Sequence, residues 1–287
     1  MSLTAISPAT MSFDAMNLID THCHFDVEEF DADRAAVAAR TVAAGVDTVV
    51  IPGYLARLWP RLLAVCDDFR SPRLLPAPGL HPCYIAEHEA AHLDALELLL
   101  AQRQDCVAIG EIGLDYFRDD LKQPDARARQ QEFFRAQLRL AQRFGKPVLL
   151  HVRKAHADVI ALLKAEKFRE GGIVHAYSGG IEEARHYARL GFRLGVGGPL
   201  TYEQSRRLRS VAEAMPLESF VLETDAPDMI PQPHRPPGPG HTRNSPEFLP
   251  AVALALAQIK RCPPEEAARV TREQSLAVLR LAGWGLD

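Results

Sequence analysis

Short apolar runs and longer amphipathic stretches alternate along the chain from Leu18 onward. The runs Leu18-Ile19-Asp20, Asp47–Ile51, Leu74–Pro78, Val107–Gly110, Pro147–Leu150, Ile173-Val174, Phe192–Val196 and Phe220–Leu222 predict strands. Pro147–Leu150, Ile173-Val174 and Phe220–Leu222 are continuous enough to be buried on both faces. Between the runs, helical spacing predicts helices near Asp31–Ala44 (closing at Gly45), Leu55–Phe69, Ala90–Gln102, Ala126–Phe144, Ile181–Leu190 and Glu203–Ala214. In the fourth of these, Phe133, Ala136, Leu140 and Phe144 fall three or four apart and predict one buried stripe. Strand–helix alternation is the signature of a parallel sheet with crossover helices. Eight repeats close a barrel. The expected fold class is therefore α/β, a single (β/α)8 TIM barrel with its active site at the C-terminal ends of the strands. A doubly wound open sheet competes, and Gly195-Val196-Gly197-Gly198 supports it only weakly because the G-x-G-x-x-G spacing is missing.

At 287 residues, 47% hydrophobic and 24% charged, the chain has an ordinary globular composition. No apolar run approaches the roughly 20 residues that cross a bilayer, so no membrane role is expected. Residues 1–16 have neither a basic start nor an apolar stretch and read as a flexible N-terminal extension, leaving 17–287 for the barrel. The proline-rich stretch 227–246 reads as a solvated loop or as a rim element over the site. Against 37 acidic residues stand 33 Lys and Arg, a net charge of −4. Such a chain has no global basic field for nucleic acid, so a phosphate-bearing substrate has to be caught by local groups or by metal. Five scattered cysteines without a C-x-x-C pair form no disulfide framework and point to a reducing, cytoplasmic setting. Cys23 and Cys83 read as small buried hydrophobes.

Metal-ligand residue types recur at the ends of the predicted strands. His22 and His24, two apart on a strand, point the same way, with Cys23 opposite. Glu111 follows the fourth run, His151 the fifth, His175 the sixth and Asp225 the eighth. A barrel brings strand C-termini to one face, so all six side chains would meet there. Imidazole and carboxylate without thiolate suit Zn, Mn, Fe or Mg. Six donors exceed what one catalytic zinc needs, whereas two ions roughly 3.5–4 Å apart, sharing a carboxylate, use them all. Arg153, two past His151, turns toward the same pocket, where it would fork onto phosphate or form a rim salt bridge. His81 would contact phosphate or leaving group, or cap the following helix. Backbone N–H groups of Ser178 and Gly179 could hold phosphate at a helix start. Tyr84 and Tyr116 would stack on a base or merely pack, and Glu223 shares a face with Asp225 and would support a ligand from behind.

The ordered motifs D-T-H-C-H (20–24), G-L-H-P (79–82), G-E-I-G-L-D (110–115), L-H-V-R (150–153), H-A-Y-S-G (175–179) and L-E-T-D-A-P (222–227) resemble the TatD family of metal-dependent hydrolases and deoxyribonucleases. The resemblance runs from about Asn17 to the C-terminus. It implies an amidohydrolase-like barrel with two divalent ions (Mg, Mn or Zn), one held by His22, His24, Glu111 and Asp225, the other by Glu111, His151 and His175. It further implies phosphodiester hydrolysis, often as a 3′-to-5′ exonuclease on nucleic-acid ends or short single-stranded oligonucleotides. Catalysis would fall to Asp225, taking the proton of the attacking water, and to Glu111, shared between the ions. Two departures stand out: Tyr177 replaces the family's usual Phe, and the 227–246 loop is richer in proline, although Arg243-Asn244-Ser245-Pro246 fits its R-N-x-P element. The alternatives are a barrel that hydrolyses a small amide, lactone or phosphoester, and a non-catalytic metal-binding interaction protein. Glu111 stands where the carboxylated-lysine subgroup of such barrels has Lys.

Overall fold

The computed structural model describes residues 16–235 and 243–285. Eight parallel strands carry the framework: β1 (Leu18–Asp20), β2 (Val46–Pro52), β3 (Arg73–Ala77), β4 (Ile109–Asp115), β5 (Val148–Arg153), β6 (Gly172–Val174), β7 (Phe192–Val196) and β8 (Phe220–Leu222). Hydrogen-bond ladders link them as β1-β2-β3 and β4-β5-β6-β7-β8. Sparser bonds close both seams. At one, Val107 N donates to Pro76 O (2.9 Å) and Gly110 N to Pro78 O (3.2 Å). At the other, Thr21 N donates to Leu222 O (3.0 Å). The fold is thus the expected (β/α)8 barrel, with strand order following chain order.

Seven helices lie between successive strands: α1 (Arg34–Ala43), α2 (Trp59–Asp68), α3 (Ala90–Gln102), α4 (Pro124–Phe144), α5 (His156–Ala165), α6 (Ile181–Arg189) and α7 (Arg206–Ala214). Two more, α8 (Leu249–Lys260) and α9 (Pro264–Val278), follow β8. The expected helix starts at Asp31, Leu55 and Glu203 move inward because each helix is preceded by a turn or a short 3-10 segment. Among the described residues, no helix is long and apolar enough to cross a membrane.

Inward-pointing Val50, Leu75, Ala77, Leu149, Ile173 and Val221 fill the barrel interior, and Val278 at the end of α9 packs against them with Leu279 and Leu281 at its floor. With the floor closed, the open end lies at the strand C-termini. On α4 the buried face is Gln130, Phe133, Phe134, Gln137, Leu138 and Ala141. Of the predicted stripe only Phe133 is fully buried; Ala136, Leu140 and Phe144 are half-buried at its edge. The stripe is rotated because two glutamines, which an apolar count passes over, occupy its centre. Met16 is buried in the main core, so packing starts one residue before the expected boundary; residues 1–15 of the predicted extension lie outside the described residues.

Candidate metal centre

Backbone stitching places the donors. The turn after β1 is sewn to the chain leaving β8: Asp225 N donates to His22 O (2.8 Å) and His24 N to Ala226 O (2.8 Å). Behind this junction, buried Asp20 accepts from Thr224 N (2.9 Å) and His22 N (3.2 Å), and Asn244 Nδ2 donates to Thr224 O (2.9 Å). Asp225 itself is held in the left-handed region, φ 55°, a conformation that L-residues adopt rarely and that clusters at functional sites. Glu111 N donates to Gly53 O (2.7 Å) and Gly53 N to Gly110 O (2.8 Å). At Gly110 a Cβ would come within 2.5 Å of Leu149 Cβ, so only glycine lets β4 approach β5 this closely beside the carboxylate.

The two buried glutamines of α4 hold the other side. Gln137 Oε1 accepts from Leu80 N (2.8 Å) and its Nε2 donates to Leu80 O (3.2 Å), fixing the chain just before His81. Gln130 Oε1 accepts from Asp115 N (2.8 Å) and its Nε2 donates to Leu121 O (2.9 Å).

Glu111 divides its oxygens between two groups of imidazoles. Oε2 lies 3.2 Å from His22 Nε2 and 3.8 Å from His24 Nε2, whereas Oε1 lies 2.8 Å from His151 Nδ1 and 3.3 Å from His81 Nε2. Asp225 Oδ1 stands 3.7, 3.8 and 3.5 Å from Nε2 of His22, His24 and His175. The rings of His22 and His175 stack at 3.5 Å. All six sequence-predicted donors thus gather at the open end, with a carboxylate spanning two clusters. Among the described residues, three triads have donor atoms mutually within 4.8 Å: His22, His24 and Asp225; His22, Glu111 and His175; His81, Cys83 and His151. The trio Glu111, His151 and His175 is not among them.

The donor chemistry fits divalent cations. His22 is fully buried, yet neither ring nitrogen has a hydrogen-bond partner, and the buried Nδ1 of His24 has none either. Buried imidazole nitrogens that lie beside carboxylates yet lack a hydrogen-bond partner suit ligation. The field is also arranged for positive charge. Burial pushes Glu111 up, but His81, His22 and His175 together hold it well below the usual carboxylate range. Burial likewise depresses His151, which bonds to Asp115, Cys83 and Glu111 carry well above the ordinary imidazole value. His175 is raised in the same sense, against burial, by Glu223, Asp225 and Glu111. The upward shifts of His151 and His175 mark a surplus of carboxylate charge of the kind a divalent cation would offset, although burial holds His22 down.

The expected substrate contacts disperse. Of the two readings of His81 the cap is seen: Nδ1 accepts from Cys83 N (3.0 Å) at the next turn, while Nε2 faces Glu111. Arg153 is exposed on the rim, its guanidinium 3.7 Å above the Phe117 ring rather than turned inward. Ser178 is exposed and lines a hollow of about 370 Å³ with Tyr177, Leu208 and Met229. Gly179 is buried beneath the Tyr177 ring, whose hydroxyl donates to Gly180 O (2.6 Å). The N–H at the start of α6, on Gly180, is already taken by Glu183 (3.0 Å). Tyr116 is buried and accepts from Gln131 Nε2 (3.0 Å), a packing role.

Two participants escaped the sequence reading. Asp115 Oδ2 accepts from His151 Nε2 across 2.9 Å; its place four residues after Glu111 on one strand, hence on the same face, was the available signal. Cys83, read as a small hydrophobe, turns its thiol to Asp115 Oδ2 (3.4 Å). Glu223 lies where its spacing from Asp225 implied, with Oε1 3.0 Å from His175 Nδ1.

The family described as TatD related DNase matches residues 19–280. An uncharacterized metal-dependent hydrolase of Escherichia coli (strain K12), YjjV, is 38% identical over 252 residues, covering 88% of this chain and 93% of that protein. A crystal structure of the Escherichia coli K12 protein superimposes with a TM-score of 0.84 at 36% identity, over 92% of this chain and 98% of that one. YabD of Bacillus subtilis (strain 168), also an uncharacterized metal-dependent hydrolase, is 32% identical over 265 residues, covering 92% of this chain and 99% of that protein.

Proposed function

The chain belongs to the TatD family of metal-dependent hydrolases, and from that premise we propose that it is a two-metal phosphodiesterase of the deoxyribonuclease type, trimming nucleic-acid ends in the 3′-to-5′ direction. The observation carrying the choice of substrate is a cleft of about 700 Å³ that runs outward from His24 and His81. Tyr54 and Tyr84 form one wall, ring centroids 5.5 Å apart, each also touching an imidazole of the centre: Tyr54 at 5.7 Å from His24, Tyr84 at 5.9 Å from His81. Base–aromatic stacking contributes about 1–3 kcal/mol per base and tolerates any sequence. Arg57, Arg61 and Arg118 also line the cleft, paired with Glu87 (3.5 Å), Asp31 (2.5 Å) and Asp120 (2.7 Å). These carboxylates are exposed, so a phosphate can replace them without leaving a charge buried and alone.

In this reading His22, His24, Glu111 and Asp225 would hold one ion, and Glu111 would share in holding a second with His151. When bound, divalent cations supply Lewis acidity that brings proton loss from water toward neutral pH and offsets charge on phosphoryl oxygens. Burial raises Asp225, but His175 above all, with His22 and His24, keeps it ionised, and its place beside the imidazoles makes it the candidate acceptor of the proton from water. Glu223 orients His175 from behind. Tyr54 and Tyr84 would seat the terminal bases.

Asp26, Glu28 and Glu29 line the same cleft, an acidic lining that favours the second reading, a small phosphoester, lactone or amide. One assay separates the two. The chain, reloaded with Mg, Mn or Zn, is given 5′- and 3′-labelled single-stranded oligonucleotides, with EDTA as control. A ladder shortening from the 3′ end, abolished by EDTA and weakened by salt, is the expected result. Metal-dependent turnover of small esters with intact oligonucleotides would overturn the nuclease reading.

A further inference from the structure

Cys83 gives this centre a donor that imidazole and carboxylate chemistry alone does not. Its sulfur and ring nitrogens of His81 and His151 lie mutually within 4.8 Å. The buried carboxylate of Asp115 completes the group, 3.4 Å from Cys83 Sγ and 2.9 Å from His151 Nε2. We propose that His81, Cys83, His151 and Asp115 form a thiolate-containing site for a borderline cation of the zinc class, on the β3–β5 side of Glu111.

Three observations support the site. The first is orientation. His81 spends Nδ1 on the Cys83 N–H, which fixes its tautomer and leaves Nε2 toward the cluster. His151 presents its two nitrogens to different carboxylates, Nδ1 to Glu111 (2.8 Å) and Nε2 to Asp115, so one imidazole joins this site to the central one. The second is preorganisation. Gln137 pins the backbone before His81 and Gln130 pins Asp115 N, so two of the four donors sit on backbone clamped by buried side chains. The third is contrast with Cys23. That thiol lies equally near the barrel mouth in sequence but points away, with Ala226 O as its partner at 3.7 Å. One sulfur, two imidazoles and a carboxylate make a four-donor set of the kind zinc adopts, and the thiolate selects zinc or cobalt over magnesium. On binding, the Cys83 thiol releases its proton to solvent, because the thiolate is the ligand.

The inference rests on the reading that the neighbouring cluster is a metal centre, and the test keeps the two apart. The chain is stripped with a chelator, refilled with cobalt(II), and its absorption recorded with the cobalt content. A near-ultraviolet thiolate-to-cobalt charge-transfer band is expected in the unaltered chain and in Cys23→Ser. It should vanish in Cys83→Ser and in Cys83→Ala, whose far-ultraviolet circular dichroism should be unchanged. Removing a ligand should weaken zinc at this site roughly a hundredfold or more, lowering the zinc content after dialysis. Cobalt uptake by the unaltered chain without the band, or a band surviving in both Cys83 variants, overturns the thiolate site while leaving the metal centre in place. No cobalt uptake at all overturns both.

Discussion

Gln137→Leu removes the polar grip of α4 on the chain before His81 while keeping nearly the same volume. In the native structure the Gln137 amide satisfies both Leu80 N and Leu80 O from within a fully buried position. A leucine at that point presents neither a donor nor an acceptor. Each buried backbone group deprived of its partner costs about 1–3 kcal/mol, so two cost about 2–6 kcal/mol, and burying the leucine methyls offsets roughly 1 kcal/mol of this. The expected loss is about 1–5 kcal/mol. For a domain of this length that is a fall in Tm of roughly 2–20 °C. Urea unfolding followed by circular dichroism measures it, with bound metal counted in parallel, since His81 should lose its fixed orientation. Gln130→Leu, seven residues away and therefore about 10 Å along the helix, should cost a similar amount and add to it within about 0.5 kcal/mol. A loss under about 0.5 kcal/mol for Gln137→Leu, with metal content unchanged, would refute the reasoning: the glutamine would then be a passenger in a site that water or local relaxation satisfies as well.

Three further outcomes are expected. Glu111→Ala should lower the bound metal by at least one ion per chain in elemental analysis, because both carboxylate oxygens face imidazole clusters; unchanged stoichiometry would remove its bridging role. Gly113→Ala should destabilise by about 3 kcal/mol or more in thermal melts, since φ is +139° and the new Cβ would meet His151 O at 2.1 Å; a cost below about 1 kcal/mol would contradict that geometry. His156 is half-buried beside Tyr187, its Nε2 without a partner, and burial pushes its imidazole down to about 4. Its neutral form is favoured by folding, so the stability it contributes is complete above pH 6.5 and is lost as pH falls toward 4. Allowing for partial solvent access, that amounts to about 2 kcal/mol, and His156→Leu should flatten the stability–pH curve over this window; an identical slope in both chains would exclude the group.

The barrel was legible because parallel strands buried on both faces leave unbroken apolar runs such as Pro147–Leu150, and because crossover helices must be long. The gathering of His22, His24, Glu111, His151, His175 and Asp225 followed from the same geometry, each residue coming just after an apolar run of the sequence, although Glu111 and His151 lie within β4 and β5. What stayed hidden depends on angles that spacing does not encode. Arg153 shares a strand face with His151, yet its long side chain lies across the Phe117 ring on the rim. Gln130 and Gln137 look like surface polar residues until one sees that α4 turns them inward to serve backbone groups of other segments. Cys83 follows a proline at the start of a 3-10 turn, where no strand or helix period predicts direction, so nothing in the spacing says that its thiol faces Asp115.

His22 and His24 ride on the three-stranded ladder, whereas Glu111, His151, His175 and Asp225 ride on the five-stranded one. A chain divided between α3 and β4 would yield two fragments, each holding an incomplete set of donors. Only their docking would bring His22 beside Glu111, so tight ion uptake would report reunion of the halves. In such a split chain the centre would act as a sensor of whether the two parts of the framework had found one another.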